Sequence, residues 1–67
     1  MRELVKSGEA RRLRISADLS LAEVARDLRV AVPTVLRWET GERKPRGKVA
    51  LRYAQLLEQL AERETRS

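Results

Sequence analysis

The sequence predicts an all-α fold, a compact domain of four helices or five, and three observations lead there. Apolar residues recur at three- and four-residue steps, and no segment alternates with the two-residue period of a strand. Helix-starting and helix-ending residues punctuate the chain at short intervals, with Ser20, Pro33, Gly41 and Gly47 the clearest. The 67 residues, 42% of them apolar, suffice for one compact core and not for two. The chain therefore reads as a single domain over residues 1–67.

Ala10, Leu13 and Ala17 place a narrow apolar stripe on a first helix from about Ser7 to Ala17, which Asp18-Leu19 breaks. Ser20-Leu21-Ala22-Glu23 has the form of a capping box: the Ser oxygen accepts from an amide of the first turn and the Glu reaches back to the Ser amide. Leu21, Val24, Ala25 and Leu28 follow at i, i+3, i+4 and i+7, giving a second helix over about 20–28. Only Arg29-Val30-Ala31-Val32 separates it from Pro33, which suits a first helical turn and pushes Val32 toward an extended conformation. A third helix should then run from Val32 or Pro33 to Glu39, stopped at Thr40-Gly41, with Val35 and Trp38 facing inward. Glu42 to Gly47 reads as a basic loop. A last helix over about 48–62 carries Val49, Tyr53, Leu56, Leu57 and Leu60 on its apolar face, and the charged tail at 61–67 should fray. The expected core is Ala10, Leu13, Ala17, Val24, Leu28, Val35, Trp38, Val49, Tyr53 and Leu56.

Composition narrows the function. The absence of Cys and His removes disulfides, thiolate metal sites, the commonest general base and the commonest zinc ligand. No Gly-rich phosphate loop and no carboxylate pair with an evident pocket stands in their place, so an enzyme is not expected, nor a metal or other cofactor. No apolar run approaches the roughly 18 residues of a membrane span, and the polar N-terminus lacks a signal-peptide stretch. A membrane-surface role fits poorly, because the basic residues lie on a loop and a short helix rather than opposite a lipid-facing stripe. The expectation is a soluble, cytoplasmic domain.

The charge is strongly and unevenly positive. Fifteen Lys+Arg against ten Asp+Glu leave +5. Residues 20–30 and 49–67 each balance at zero, whereas residues 31–48 carry Arg37, Arg43, Lys44, Arg46 and Lys48 against Glu39 and Glu42, a net of +3. Clustering of this kind attracts a polyanion. Twelve of the fifteen cations are Arg, which suits bidentate contact with phosphate or guanine but equally fits a codon bias.

Two short helices joined by a tight turn and followed by a basic loop form the outline of a helix-turn-helix. The stretch Leu19 to Pro45, LSLAEVARDLRVAVPTVLRWETGERKP, resembles the Cro/phage-repressor (Xre-like) helix-turn-helix family. The likeness runs from about Arg11 to Leu57 and is most specific at Thr34 to Gly41 with Arg43-Lys44-Pro45, the motif itself covering about 20–40. It implies a lambda-repressor-like domain that binds double-stranded DNA.

The major groove admits one α-helix, and residues near that helix's N-terminus reach base edges. With Val35 and Trp38 inward, Val32, Pro33, Leu36 and Arg37 look out as the candidate base readers. Arg37 can offer a guanidinium fork to O6 and N7 of guanine; Val32 and Pro33 can make only apolar contact, as with a thymine methyl. Arg43, Lys44, Arg46 and Lys48 are candidate phosphate contacts, which supply affinity rather than sequence information. The resemblance adds the Leu21 backbone amide, Thr34 and Thr40 to that set, and pairs Glu39 with Arg14 as a structural tie. This chain departs from the family in three places: Leu21 replaces a polar side chain that binds phosphate, Arg29 replaces a turn Gly, and Ala31 replaces a capping Ser or Thr. A left-handed Arg29 would be strained.

The resemblance favours a sequence-specific transcriptional regulator of phage or bacterial type, acting at the nucleoid of a bacterial or infected cell. Binding as a homodimer on a palindrome, as a monomer, or in tandem all stay open. A second reading is an antitoxin that binds DNA through the same surface and a toxin through another segment; a third is a phage excisionase or architectural protein.

Overall fold

A computed structural model describes residues 8–66. Four α-helices account for most of them: α1 (Glu9–Ser16), α2 (Leu21–Leu28), α3 (Val32–Thr40) and α4 (Gly47–Arg66). There is no strand among the described residues. The expected start of the first helix at Ser7 lies outside them.

The connections are short because each helix end is closed within a few residues. After α1 the Asp18 amide donates to the Ile15 carbonyl and the Leu19 amide to the Arg14 carbonyl, with Asp18 left-handed at φ 62°. This is the Schellman pattern of paired reverse bonds. The same pattern closes α2: the Arg29 amide donates to the Arg26 carbonyl and the Val30 amide to the Ala25 carbonyl, with Arg29 at φ 60° and ψ 45°. Arg29 does take the left-handed conformation expected to be strained, at a cost of about 1–2 kcal/mol that the surrounding packing must offset. α3 ends on a glycine, Gly41 at φ 83°, which takes this geometry without a Cβ penalty.

At the other end of α2 the capping box is complete. Ser20 Oγ accepts from the Glu23 amide at 3.0 Å, and Glu23 Oε1 accepts from the Ser20 amide at 2.8 Å. The N-cap of α3 is Ala31, extended at φ −74° and ψ 148°, with no side-chain cap. Val32, expected to be extended before the proline, is instead the first helical residue, and Ala31 takes the extended geometry; Pro33 sits in the first turn, where an amide hydrogen would lack an intrahelical partner anyway.

α2 packs chiefly on α3 and α1 chiefly on α4, and contacts of α1 with α3 and α2 with α4 join the two pairs. Their shared core is Ala10, Leu13, Val24, Ala25, Leu28, Val35, Trp38, Tyr53, Leu57 and Leu60. Three expected core residues, Ala17, Val49 and Leu56, are only partly buried at its edge, while Ala25, Leu57 and Leu60 lie inside it. The α4 substitution is a matter of phase: Tyr53, Leu57 and Leu60 are spaced by four and three residues and share one line, leaving Leu56 on the flank.

The tail does not fray as expected. α4 stays helical through Arg66 because Leu60 is buried, Ala61 packs on the core, and Glu64 binds α1. Glu64 accepts from Arg12 at 2.7 Å and from the Ser16 hydroxyl at 3.3 Å, a clasp that holds the Glu64 carboxyl below its ordinary pKa. Arg52, one turn into α4, donates to the Asp27 carbonyl at 3.2 Å and ties α4 to the end of α2.

Candidate nucleic-acid interface

Helix α3 sorts its residues onto two faces. Val35 is fully buried, and Trp38 and Glu39 are nearly so. Trp38 stacks against Tyr53 of α4, ring centroids 4.7 Å apart with planes tilted by 43°. Glu39 meets Arg14 of α1 through two bonds, Arg14 Nε to Oε2 at 2.6 Å and Nη2 to Oε1 at 3.2 Å. The remaining guanidinium nitrogen of Arg14 donates to the Leu19 carbonyl at 2.9 Å. With side chains only 12% and 3% exposed, this ion pair is buried and bidentate, and it fixes α3 to α1 and to the segment leading into α2. The resemblance implied that pairing; the additional bond to Leu19 had no signal in the sequence.

The opposite edge is open. Val32 is 40% and Leu36 46% exposed, one turn apart, and Pro33 and Arg37 beside them are exposed as well. All four expected base readers therefore share one outward edge. Thr34 is half-buried between the faces. Thr40 is exposed, and its hydroxyl donates to the Arg37 carbonyl at 3.2 Å, so its proton is engaged within the helix.

Beyond α3 the chain turns back under the helix. The Arg43 amide donates to the Arg37 carbonyl at 3.2 Å, and the loop and helix enclose an open cleft lined by Thr34, Arg37, Trp38, Arg43, Lys44, Pro45 and Arg46. Arg37 thus joins the loop cations in one continuous surface. Glu42, counted above against the cations of this segment, also lines the cleft and sets a negative charge inside the basic patch. Lys48 is exposed in the first turn of α4.

Among the described residues the salt bridges use Arg12 and Arg14, and none engages Arg37, Arg43, Lys44, Arg46 or Lys48. At the start of α2 the Glu23 and Val24 amides are spent on Ser20, leaving the Leu21 amide at the positive open end of the helix. No group of side chains able to hold a metal ion occurs among the described residues, and none of their helices is long and apolar enough to cross a membrane.

The family model described as helix-turn-helix matches residues 11–63 of this chain. The chain belongs to that family, of the Cro/C1 type, whose members bind DNA. No curated protein and no solved structure matches the chain. The matched span covers the whole motif and reaches into the last turns of α4, past the Leu57 at which the sequence resemblance ended. The second helix of the motif is α3, so the outward edge of α3 and the loop behind it are the candidate DNA-facing surface.

Proposed function

We propose that the protein is a sequence-specific transcriptional regulator that lays the outward edge of α3 in the major groove. Val32, Pro33, Leu36 and Arg37 meet base edges, with Arg37 offering its fork to a guanine. Arg43, Lys44, Arg46 and Lys48 hold phosphates, joined by the Leu21 amide at the start of α2, by Thr34, and by Thr40 once its hydroxyl leaves the Arg37 carbonyl. Glu39 takes no part in binding; its carboxylate is held by Arg14. The role is binding rather than catalysis.

The observation that carries this reading is the coincidence, on one surface, of an exposed helix edge and cations that no salt bridge among the described residues engages. Exposed cations are well solvated singly and gain little from ion pairs; it is their clustering beside the open edge that favours a polyanion, which gains by counterion release.

Selection from random duplexes, then anisotropy titration at several salt concentrations, tests the reading. The expected result is a defined preferred site. Lys44→Ala or Arg46→Ala should weaken binding to all duplexes alike and reduce the salt slope by about 1. A chain that showed no preference among duplexes, and no salt dependence, would overturn the assignment.

A further inference from the structure

The DNA-facing edge of α3 is short of hydrogen-bond donors. Of the large hydrophobics exposed among the described residues, Val32 and Leu36 lie one turn apart on that edge, with Pro33 between them in the first turn. Pro33 has no amide hydrogen, and the next two amides, of Thr34 and Val35, both return to the Ala31 carbonyl at 3.0 and 3.4 Å. Arg37 is therefore the main side-chain donor of the edge, flanked by aliphatic surface.

Such a surface selects among base pairs by what it can tolerate. In the major groove the one sizeable apolar group a base presents is the C5-methyl of a pyrimidine; the C5–H that unmethylated cytosine puts in its place is apolar but too small to fill the same contact, and the remaining edge groups are mainly donors and acceptors. An amino group or carbonyl pressed against Val32 or Leu36 would lose its water without gaining a partner. A methyl pressed there is removed from water at no such loss.

We infer that Val32, Pro33 and Leu36 make this edge a reader of C5-methyl groups at the base pairs next to the guanine held by Arg37, whichever pyrimidine carries them. The inference rests on the major-groove placement of α3 proposed above. Two sources supply the group: thymine, and cytosine methylated at C5. Binding to a site containing cytosine beside the Arg37 guanine is then sensitive to that cytosine's methylation.

The test uses the full chain and its selected duplex. Each thymine is replaced singly by deoxyuridine, which removes the methyl and keeps every hydrogen-bonding group. Loss of one contacted methyl should weaken binding about fourfold, the equivalent of the roughly 0.8 kcal/mol that accompanies burial of one such carbon. The loss should be confined to one or two positions beside the guanine. In a second arm those thymine–adenine pairs are replaced by cytosine–guanine pairs, and 5-methylcytosine should bind several-fold better than cytosine. If only the deoxyuridine arm responds, the edge reads thymine alone and the methylation claim falls.

Val32→Ser with Leu36→Gln, both exposed substitutions whose fold is checked by circular dichroism, should abolish the difference between thymine and deoxyuridine. Equal affinity for thymine and deoxyuridine at every position, with Arg37→Ala still relaxing the guanine preference, overturns methyl reading and leaves the proposed function intact. Absence of any preferred duplex removes both.

Discussion

The two faces of α3 interleave at the helical period, in pairs and singles along the chain, yet obey different rules. Val35, Trp38 and Glu39 face inward, against Tyr53 and Arg14; Val32, Leu36 and Arg37 face outward, and no salt bridge among the described residues engages Arg37. Trp38 and Arg37 are neighbours in sequence, but one anchors the helix and the other is available to a ligand. The contrast teaches that fold and binding are written on the same helix at a phase difference, so substitutions on one face should leave the other's property nearly untouched. Glu39 is the sharpest case: a charged residue beside a basic surface whose role is set by burial rather than by charge.

The largest effect should come from breaking the inner face at that residue. Glu39→Ala leaves Arg14 half-satisfied in a site 12% exposed, and removing one partner of a buried ion pair typically costs about 3–5 kcal/mol. The Leu19 carbonyl still accepts from Arg14, which favours the lower end, about 3 kcal/mol. Urea denaturation should show that loss, and Arg14→Leu combined with Glu39→Leu should recover much of it, since a well-packed apolar replacement avoids the stranded charge. An unchanged midpoint for Glu39→Ala would mean that α3 is anchored by Val35 and Trp38 alone.

A smaller effect of opposite sign is expected behind the same face. Tyr53 is buried against Trp38, and its hydroxyl finds no hydrogen-bond partner among the described residues. Burial first, then the nearby Glu39 carboxylate, push its pKa up to about 12, with Arg14 opposing. Tyr53→Phe keeps the ring and removes the unsatisfied group, and should stabilise by about 1 kcal/mol at neutral pH. The protonated phenol is the form the folded state favours, so its contribution is fully present below pH 10, the ordinary Tyr value, and is lost as pH rises toward 12. The alkaline loss of stability should therefore be about 2 kcal/mol smaller in Tyr53→Phe. Identical alkaline profiles would place the phenol in contact with water.

The smallest effect belongs to the turn of the motif. Arg29 holds a left-handed conformation that Gly adopts without penalty, and Gly's greater freedom in the unfolded chain offsets part of the gain. Arg29→Gly should raise stability by a few tenths of a kcal/mol, up to about 1, with little change in DNA preference. A destabilised variant would show that the Arg29 side chain supports the turn more than its backbone strains it.

How much of this was legible in the sequence depended on how local the signal is. The capping box at Ser20 and Glu23, the glycine stop at Gly41 and the inward phase of Val35 and Trp38 are written within a few adjacent residues, and each is found where expected. The outward edge follows from the same phase. What could not be read was set by distant partners. Leu57 and Leu60 displaced Leu56 from the core because α1 and α2 fix which line of α4 faces inward. The Arg12–Glu64 clasp, which keeps the tail helical, joins residues 52 apart in sequence. The Arg14–Glu39 tie was visible only through the family likeness, since no local pattern relates positions 25 apart.

The most direct test of the separation between the two faces is a paired measurement on Arg37→Ala: its thermal midpoint and its affinity for a panel of duplexes differing at single base pairs. We expect a midpoint within a few degrees of the parent, together with a loss of about 1–3 kcal/mol on the preferred site and relaxed choice at one or two base pairs. Equal weakening on every duplex would make Arg37 a phosphate contact, and a large fall in the midpoint would place it in the fold; either result contradicts the assignment of this edge to base recognition.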